Sequence, residues 1–210
     1  MTTKSSMSSS LSAVAAYLER LPHGIDSYPQ ATVKGSVVRA VIGDTGPSSL
    51  PVALIPPSTE ELVRNPPGVS DWVRETHHGA LLSAIFDTRF RGAGGIPAFD
   101  VWAIERNRTL LRGPLYRVMF LVLSPERILI GVQQRWAAFH RGSLLNVVKR
   151  AERAAQVRLT YPAFLFAEHA LRWFACAFQV AVEAAGAKNA HVRADVESET
   201  STLFDAQWDT

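Results

Sequence analysis

The strongest constraint on the fold comes from the alternating pattern near the end of the chain. In residues 190–197 every second residue is apolar and the residues between are polar or charged. The same alternation returns in residues 204–208, after a polar turn at 198–201. A period of two is typical of a strand with one buried and one solvated face. The sequence therefore predicts a closing β-hairpin.

A second hairpin is predicted about 40 residues earlier. Apolar residues alternate in 145–147 and again in 157–161, on either side of a charged turn at 149–153. Pro162 ends the second strand, because proline cannot donate a backbone hydrogen bond to a sheet. The stretch 163–185 that follows is apolar on nearly all sides, which indicates a helix buried against the sheet.

Residues 124–141 are predicted to form the helix that precedes the first hairpin. They open with Ser-Pro-Glu, a favourable helix start, and Gly142 follows as the stop. His140 and Arg141 would then lie in the last helical turn, where positive charge suits the helix dipole. The other glycine at a helix end, Gly186, is suited to the left-handed position that closes the 163–185 helix.

The order helix, two strands, helix, two strands predicts an α+β fold. Hairpins pair locally, so we expect a four-stranded antiparallel sheet (ββαββ) covered by helices. We divide the chain into a disordered tail (1–9), a helical N-terminal part (10–123) and an α+β core (124–210). In the N-terminal part, helical spacing of apolar residues predicts helices over 10–21, 30–42, 59–64, 70–90, 99–111 and 115–123.

Composition limits the partners and the compartment. The 210 residues carry a net charge of +3 with basic and acidic residues interleaved, which argues against a nucleic-acid surface. A single cysteine excludes an internal disulfide and a thiolate metal cluster and fits a reducing compartment. No apolar run reaches the roughly 18 residues of a membrane span, and the polar start makes a poor signal peptide. We expect a cytoplasmic protein.

The sequence offers little for catalysis or metal binding. His77 and His78 are adjacent, so on a helix they point about 100° apart and cannot share one ion without help. The glycine-rich stretch 92–95 lacks the lysine of a phosphate-binding loop, and no nucleophile elbow is present. We therefore predict a protein without catalytic residues or a metal site. The residues identify no cofactor.

Aromatic residues are the remaining feature. The chain has 5 tryptophans and 10 phenylalanines, and the tryptophans fall on inward-looking positions. Such residues pack a core, or they line an apolar ligand pocket between helices and sheet. Cys176 is expected to be a small buried filler, and His169 either a buried histidine with satisfied hydrogen bonds or part of the lining. The candidate pocket residues are Trp136, Phe139, His140, His169, Trp173 and Cys176.

Several motifs carry a resemblance to known families: Trp136 with Phe139-His140 and Gly142, the segment 186–192, the closing Phe204–Trp208, and the segments 69–73, 114–117 and 124–127. On these the chain resembles a myxobacterial family of paralogous proteins of unknown function, about 200 residues long. The C-terminal unit is also similar to four-vinyl-reductase domains, haem-nitric-oxide-binding domains and transport-particle subunits of vesicle tethering. That resemblance implies a helix-plus-sheet fold enclosing an apolar cavity.

Two family features are absent. The cysteine-rich C-terminal pattern of four-vinyl-reductase domains is missing, and so is the Tyr-x-Ser-x-Arg motif that holds haem propionates. The prediction is a non-catalytic module that binds a small apolar ligand or a protein partner in signalling or regulation. One alternative is a purely structural homodimer or adaptor. Another is a haem or gas sensor with His140 or His169 as axial ligand.

Overall fold

The computed structural model describes residues 12–43, 55–92, 94–113 and 124–209. It has an α+β fold with a four-stranded and a three-stranded antiparallel sheet, which confirms the predicted fold class. The helices are α1 (Ala13–Arg20), α2 (Gly35–Ile42), α3 (Pro57–Arg64), α4 (Glu75–Arg89), α5 (Gly95–Arg112), α6 (Pro125–Ile128), α7 (Val132–Ala137) and α8 (Glu168–Ala184). The strands are β1 (Thr32–Lys34), β2 (Trp72–Arg74), β3 (His140–Arg141), β4 (Leu144–Ala151), β5 (Ala154–Thr160), β6 (Lys188–Ser198) and β7 (Ser201–Asp209).

The four-stranded sheet is built from the two predicted hairpins. Its strand order is β4-β5-β7-β6, and neighbouring strands are antiparallel. The alternating apolar residues, such as Leu145, Leu159 and Phe204, are buried on the face that α8 covers. Both turns are tighter than predicted, because the strands continue to Ala151 and Ser198.

Helix α8 begins five residues later than predicted. Residues 161–167 are not helical, and Phe164 adopts a left-handed φ of 60°. The backbone N–H groups of Tyr161 and Phe164 donate to the carbonyls of Thr200 and Glu199 at the tip of the last hairpin. These bonds tie the segment to the sheet and compete with a helical start. At the other end Gly186 has the expected positive φ, 100°.

The three-stranded sheet was not predicted. β1 lies in its centre and pairs with β2 and with β3, so the starts of the predicted helices 30–42 and 70–90 are strands. The predicted 124–141 helix is also broken. It forms α6 and α7 with Gly131 between them at φ 73°. His140 therefore lies on β3 and not in a helical turn, and Gly142, at φ 78°, connects β3 to β4.

Helices from the N-terminal part complete the core. α4 and α5 pack against α8, and α1 packs against α4. Buried side chains from Val14 to Trp208 form a hydrophobic cluster that includes both parts of the chain. The predicted tail at 1–9 and helix at 115–123 lie outside the described residues, as do residues 44–54. Within the described ranges, no helix is long and apolar enough to cross a membrane.

Candidate functional site

An apolar cavity of about 130 Å³ lies between α5, α7, α8 and β4. Helix α8 supplies five of the lining residues, and α5 and α7 supply three each. Asn107, Arg135 and His140 are the polar side chains among its described lining residues. The apolar lining residues are Val37, Leu110, Leu111, Ile128, Val132, Trp136, Phe139, Leu145, Trp173, Phe174, Ala177, Phe178 and Ala181.

His140 is held in the cavity wall by a buried carboxylate. Its Nδ1 lies 2.5 Å from Oε1 of Glu75, the first residue of α4, and the Glu75 side chain is fully buried. The two residues are 65 positions apart and meet because β1 pairs with both β3 and β2. The backbone N–H of Glu75 also donates to the carbonyl of Ala31, just before β1. The three-stranded sheet therefore positions this pair.

Glu75 is ionised despite its burial. Burial alone would raise the pKa of this carboxyl, but the charge of His140 and its hydrogen bond to Glu75, with a smaller electrostatic contribution from His78, outweigh it and hold the pKa at about 2. An ionised carboxylate can only accept hydrogen bonds, so Nδ1 of His140 must be the donor. The positive end of the α4 dipole also favours a carboxylate at this position. The Glu75–His140 contact is a charge-assisted hydrogen bond inside the protein.

Aromatic rings fix the orientation of His140. Its imidazole stacks on the Trp136 indole at a centroid distance of 3.9 Å and an interplanar angle of 13°. Trp136 is itself anchored, because its Nε1 donates to Oγ of Ser143 at 2.9 Å. Phe174 packs edge-on against both rings, at 5.1 and 5.2 Å. The histidine is thus confined by a carboxylate on one edge and by aromatic faces around it.

The other two polar lining residues are engaged with backbone groups. Arg135 donates to the carbonyls of Ile128 and Ile130, where the chain leaves α6. The Asn107 amide N–H donates to the carbonyl of Ala103 one turn earlier in α5. His140 is therefore the lining side chain whose ring nitrogen Nε2 has no hydrogen-bond partner among the described residues.

A smaller apolar cavity of about 50 Å³ adjoins the first. It lies between α6, α8 and the inner face of the four-stranded sheet, where the sequence placed the pocket. Ile128, Val132, Leu145, Phe178 and Ala181 line both cavities and separate them. Small movements of these side chains would therefore change the space open to a ligand.

Four of the six candidate pocket residues, Trp136, Phe139, His140 and Trp173, line the larger cavity. The other two do not. On α8 the lining positions 173, 174, 177, 178 and 181 share one helical face. Positions 169 and 176 fall on the adjoining face, since each residue turns the helix by about 100°. Spacing along the chain could not show which face of an all-round apolar helix meets the cavity.

His169 packs in the helical layer instead. Its ring lies 4.0 Å from the Phe86 ring and 5.8 Å from the Phe99 ring, on α4 and α5. Burial lowers the pKa of this imidazole. Cys176 faces α5 as well, with its Sγ 3.7 Å from the Asp100 carbonyl. Burial raises the pKa of the Cys176 thiol to about 12, so it is a buried and unreactive side chain.

Glu75 is the site residue that sequence reasoning missed. An acidic residue in a first helical turn is ordinary, so no local pattern identifies it as the partner of a distant histidine. The adjacent His77 and His78 are separated by the helix, as expected. His77 bonds to Thr59 at 2.8 Å, whereas His78 is fully buried beside Trp173. Over the described ranges, no group of three or more His, Cys, Asp or Glu side chains could hold a metal ion.

Comparisons with known proteins give a fold relationship. No protein-family model matches the sequence, and no curated protein matches it. Among solved structures, the Fe(II) unliganded H-NOX protein from K. algicida has a TM-score of 0.56 and 10% identity, covering 84% of this chain and 97% of that one. An oxygen-binding H-NOX domain related to soluble guanylate cyclases has a TM-score of 0.52 and 9% identity, covering 84% and 95%. The fold is therefore H-NOX-like.

Proposed function

We propose that this protein is a non-catalytic module that binds a small apolar molecule in the 130 Å³ cavity, in a signalling or regulatory role. The observation that supports this most is the cavity wall, which is aromatic and aliphatic apart from Asn107, Arg135 and His140. A cavity of about 150 Å³ lined by apolar side chains stays dry and takes up benzene. The ligand is therefore a molecule of about one ring.

Haem is not part of this proposal. It has to be considered because one H-NOX structure similar to this chain concerns haem redox potential and another is an oxygen complex. Pockets that hold cofactors or drug-sized ligands measure roughly 300–1,000 Å³, well above the volume of the cavity formed here. Haem propionates also need cationic partners. The one arginine among the described lining residues, Arg135, already binds two backbone carbonyls. The described residues therefore do not fit a haem.

Benzene is the first probe of the proposal. A ligand that binds only the folded state raises the unfolding temperature in a concentration-dependent way, so benzene should produce a saturable rise. Ala177→Leu should abolish that rise, because residue 177 lines the cavity and the larger side chain fills it. Ala184→Leu is the matched control, since residue 184 is exposed on the same helix. A wild-type protein that gains no stability from benzene would contradict the proposal.

Native mass spectrometry separates the alternatives. A protein purified from its own host that loses extra mass on denaturation would support ligand binding and give the size of the ligand. A bare protein at twice the monomer mass would favour a structural homodimer. In the absorption spectrum of the same sample, a haem band would favour a gas sensor.

Membership of the myxobacterial paralogous family is also a proposal, which rests on the C-terminal motifs, including Trp136 and Phe204–Trp208.

A further inference from the structure

We propose, resting on the function above, that the cavity selects apolar ligands bearing one neutral hydrogen-bond acceptor, a carbonyl oxygen, which accepts the Nε2–H of His140. Glu75 acts as the positioning residue that orients this donor. The expected ligands are ketones, esters or lactones of about one ring. Three features of the site lead to this assignment.

The first feature is the orientation of the imidazole. Its Nδ1 edge is turned towards Glu75 at 2.5 Å, and its face lies on Trp136. With Nδ1 occupied, Nε2 is the remaining polar atom that the ring can offer to the cavity. None of the described residues forms a hydrogen bond with Nε2. The ring therefore has a fixed direction and one unused nitrogen.

The second feature is the charge that Glu75 requires. A buried carboxylate without a positive partner is costly, so one neighbouring side chain should carry the compensating proton. His78 is the other nearby base, but its Nδ1 lies 3.5 Å from Glu75, beyond the usual hydrogen-bond distance. His140 is much nearer, and stacking on Trp136 stabilises a cationic ring. The neutral pair holds one proton in the short contact between Glu75 and Nδ1 and one on Nε2, so Nε2 is a donor.

The third feature is the balance of charge. The Glu75–His140 pair is neutral as a unit, and the remaining walls are apolar except for Asn107 and Arg135, which bond to the backbone. The guanidinium of Arg135 is half-buried and its Nη1 is directed at the Ile128 and Ile130 carbonyls, so a carboxylate would lose its hydration without gaining a well-placed ion pair, which is costly in apolar surroundings. A ligand without an acceptor would leave the Nε2–H unpaired. A neutral carbonyl compound satisfies both conditions.

Cyclopentanone and methylenecyclopentane provide a matched pair, because they have the same shape and differ in the C=O group. Their dissociation constants are measured with the wild-type protein and with His140→Phe. In the variant, an aromatic ring still faces Trp136, but the Nε2–H donor is absent. The preference for the ketone over the alkene should fall about tenfold or more in His140→Phe.

A second measurement does not depend on the variant folding. The carbonyl carbon of ¹³C-labelled cyclopentanone should move downfield when bound to the wild-type protein, relative to its position in a hydrocarbon solvent. Nitrogen NMR should show a hydrogen on Nε2 of His140. An unshifted carbonyl, or a ketone preference unchanged in His140→Phe, would overturn the inference while leaving the proposed function intact. Failure of both compounds to bind would instead refute the proposed function.

Discussion

Replacing Gly142 with alanine should destabilise the protein next to the cavity. Gly142 has a φ of 78°, a left-handed conformation that costs a residue with a Cβ about 1–2 kcal/mol. A Cβ at this position would also lie 2.8 Å from the Ala31 Cα, which is main chain and cannot rotate away. Gly142→Ala therefore combines a conformational cost with a steric one.

The steric part can be isolated with Gly131. That residue has nearly the same φ, 73°, but the nearest atoms to its Cβ are Oε1 of Gln134 at 3.3 Å and a guanidinium nitrogen of Arg135 at 3.5 Å. These atoms end flexible side chains and can move. We expect Gly131→Ala to cost about 1 kcal/mol. Overpacking adds about 1–3 kcal/mol, so Gly142→Ala should cost about 2–4 kcal/mol.

Urea denaturation of the wild type and both variants tests this reasoning, with fluorescence of the buried tryptophans as the signal. The Ala31 carbonyl accepts the backbone N–H of Glu75, so displacement of Ala31 should also loosen the Glu75–His140 pair. Equal losses of stability in Gly142→Ala and Gly131→Ala would refute the argument. They would mean that the chain at Ala31 relaxes without cost.

Three further predictions concern the cavity and its surroundings. As the pH falls from about 4.5 towards 2, the wild type should lose stability that Glu75→Gln does not lose. The reason is that folding lowers the pKa of Glu75, so the stability contributed by its ionised form is complete above pH 4.5 and is lost as the pH falls towards 2. Parallel acid-denaturation curves for the two proteins would contradict this. Phe178→Ala should join the two cavities and lower the free energy of unfolding by about 3 kcal/mol. In calorimetry, the variant should then bind naphthalene more tightly than benzene, and an unchanged preference would show that the cavities stay separate. Cys176 should react with a thiol reagent at pH 8 no faster than the protein unfolds, since its thiol is buried with a pKa of about 12; rapid stoichiometric labelling would show an accessible thiolate.

Short-range patterns predict the C-terminal sheet because its information is local. Each hairpin joins strands that are adjacent in the chain, and the alternation at 190–197 or 157–161 assigns one face to the core. The helix between the hairpins follows from its apolar composition. Its end follows from the backbone freedom of Gly186. These features required no knowledge of distant residues, and the structure confirms them.

The three-stranded sheet depends on contacts that no local pattern records. β1 and β2 have three residues each, too few to show a period of two, and both continue directly into helices. β1 pairs with β2 and with β3, and β3 lies more than 100 positions after β1 in the chain. This pairing stabilises the strand conformation of β1 and β2. The helical spacing of apolar residues predicts helix over the whole of 30–42 and 70–90, although Val33, Thr32 and Val73 are residue types common in strands, and the tertiary pairing decides the conformation.

The same holds for the site. Aromatic composition alone indicates an apolar interior, and four of the predicted pocket residues do line the cavity. The partnership of Glu75 with His140, and the exclusion of His169 and Cys176 from the lining, depend on how β1 joins two distant segments and on how α8 is rotated about its axis. Periodicity specifies which residues are buried, whereas only packing between elements specifies what each of them meets.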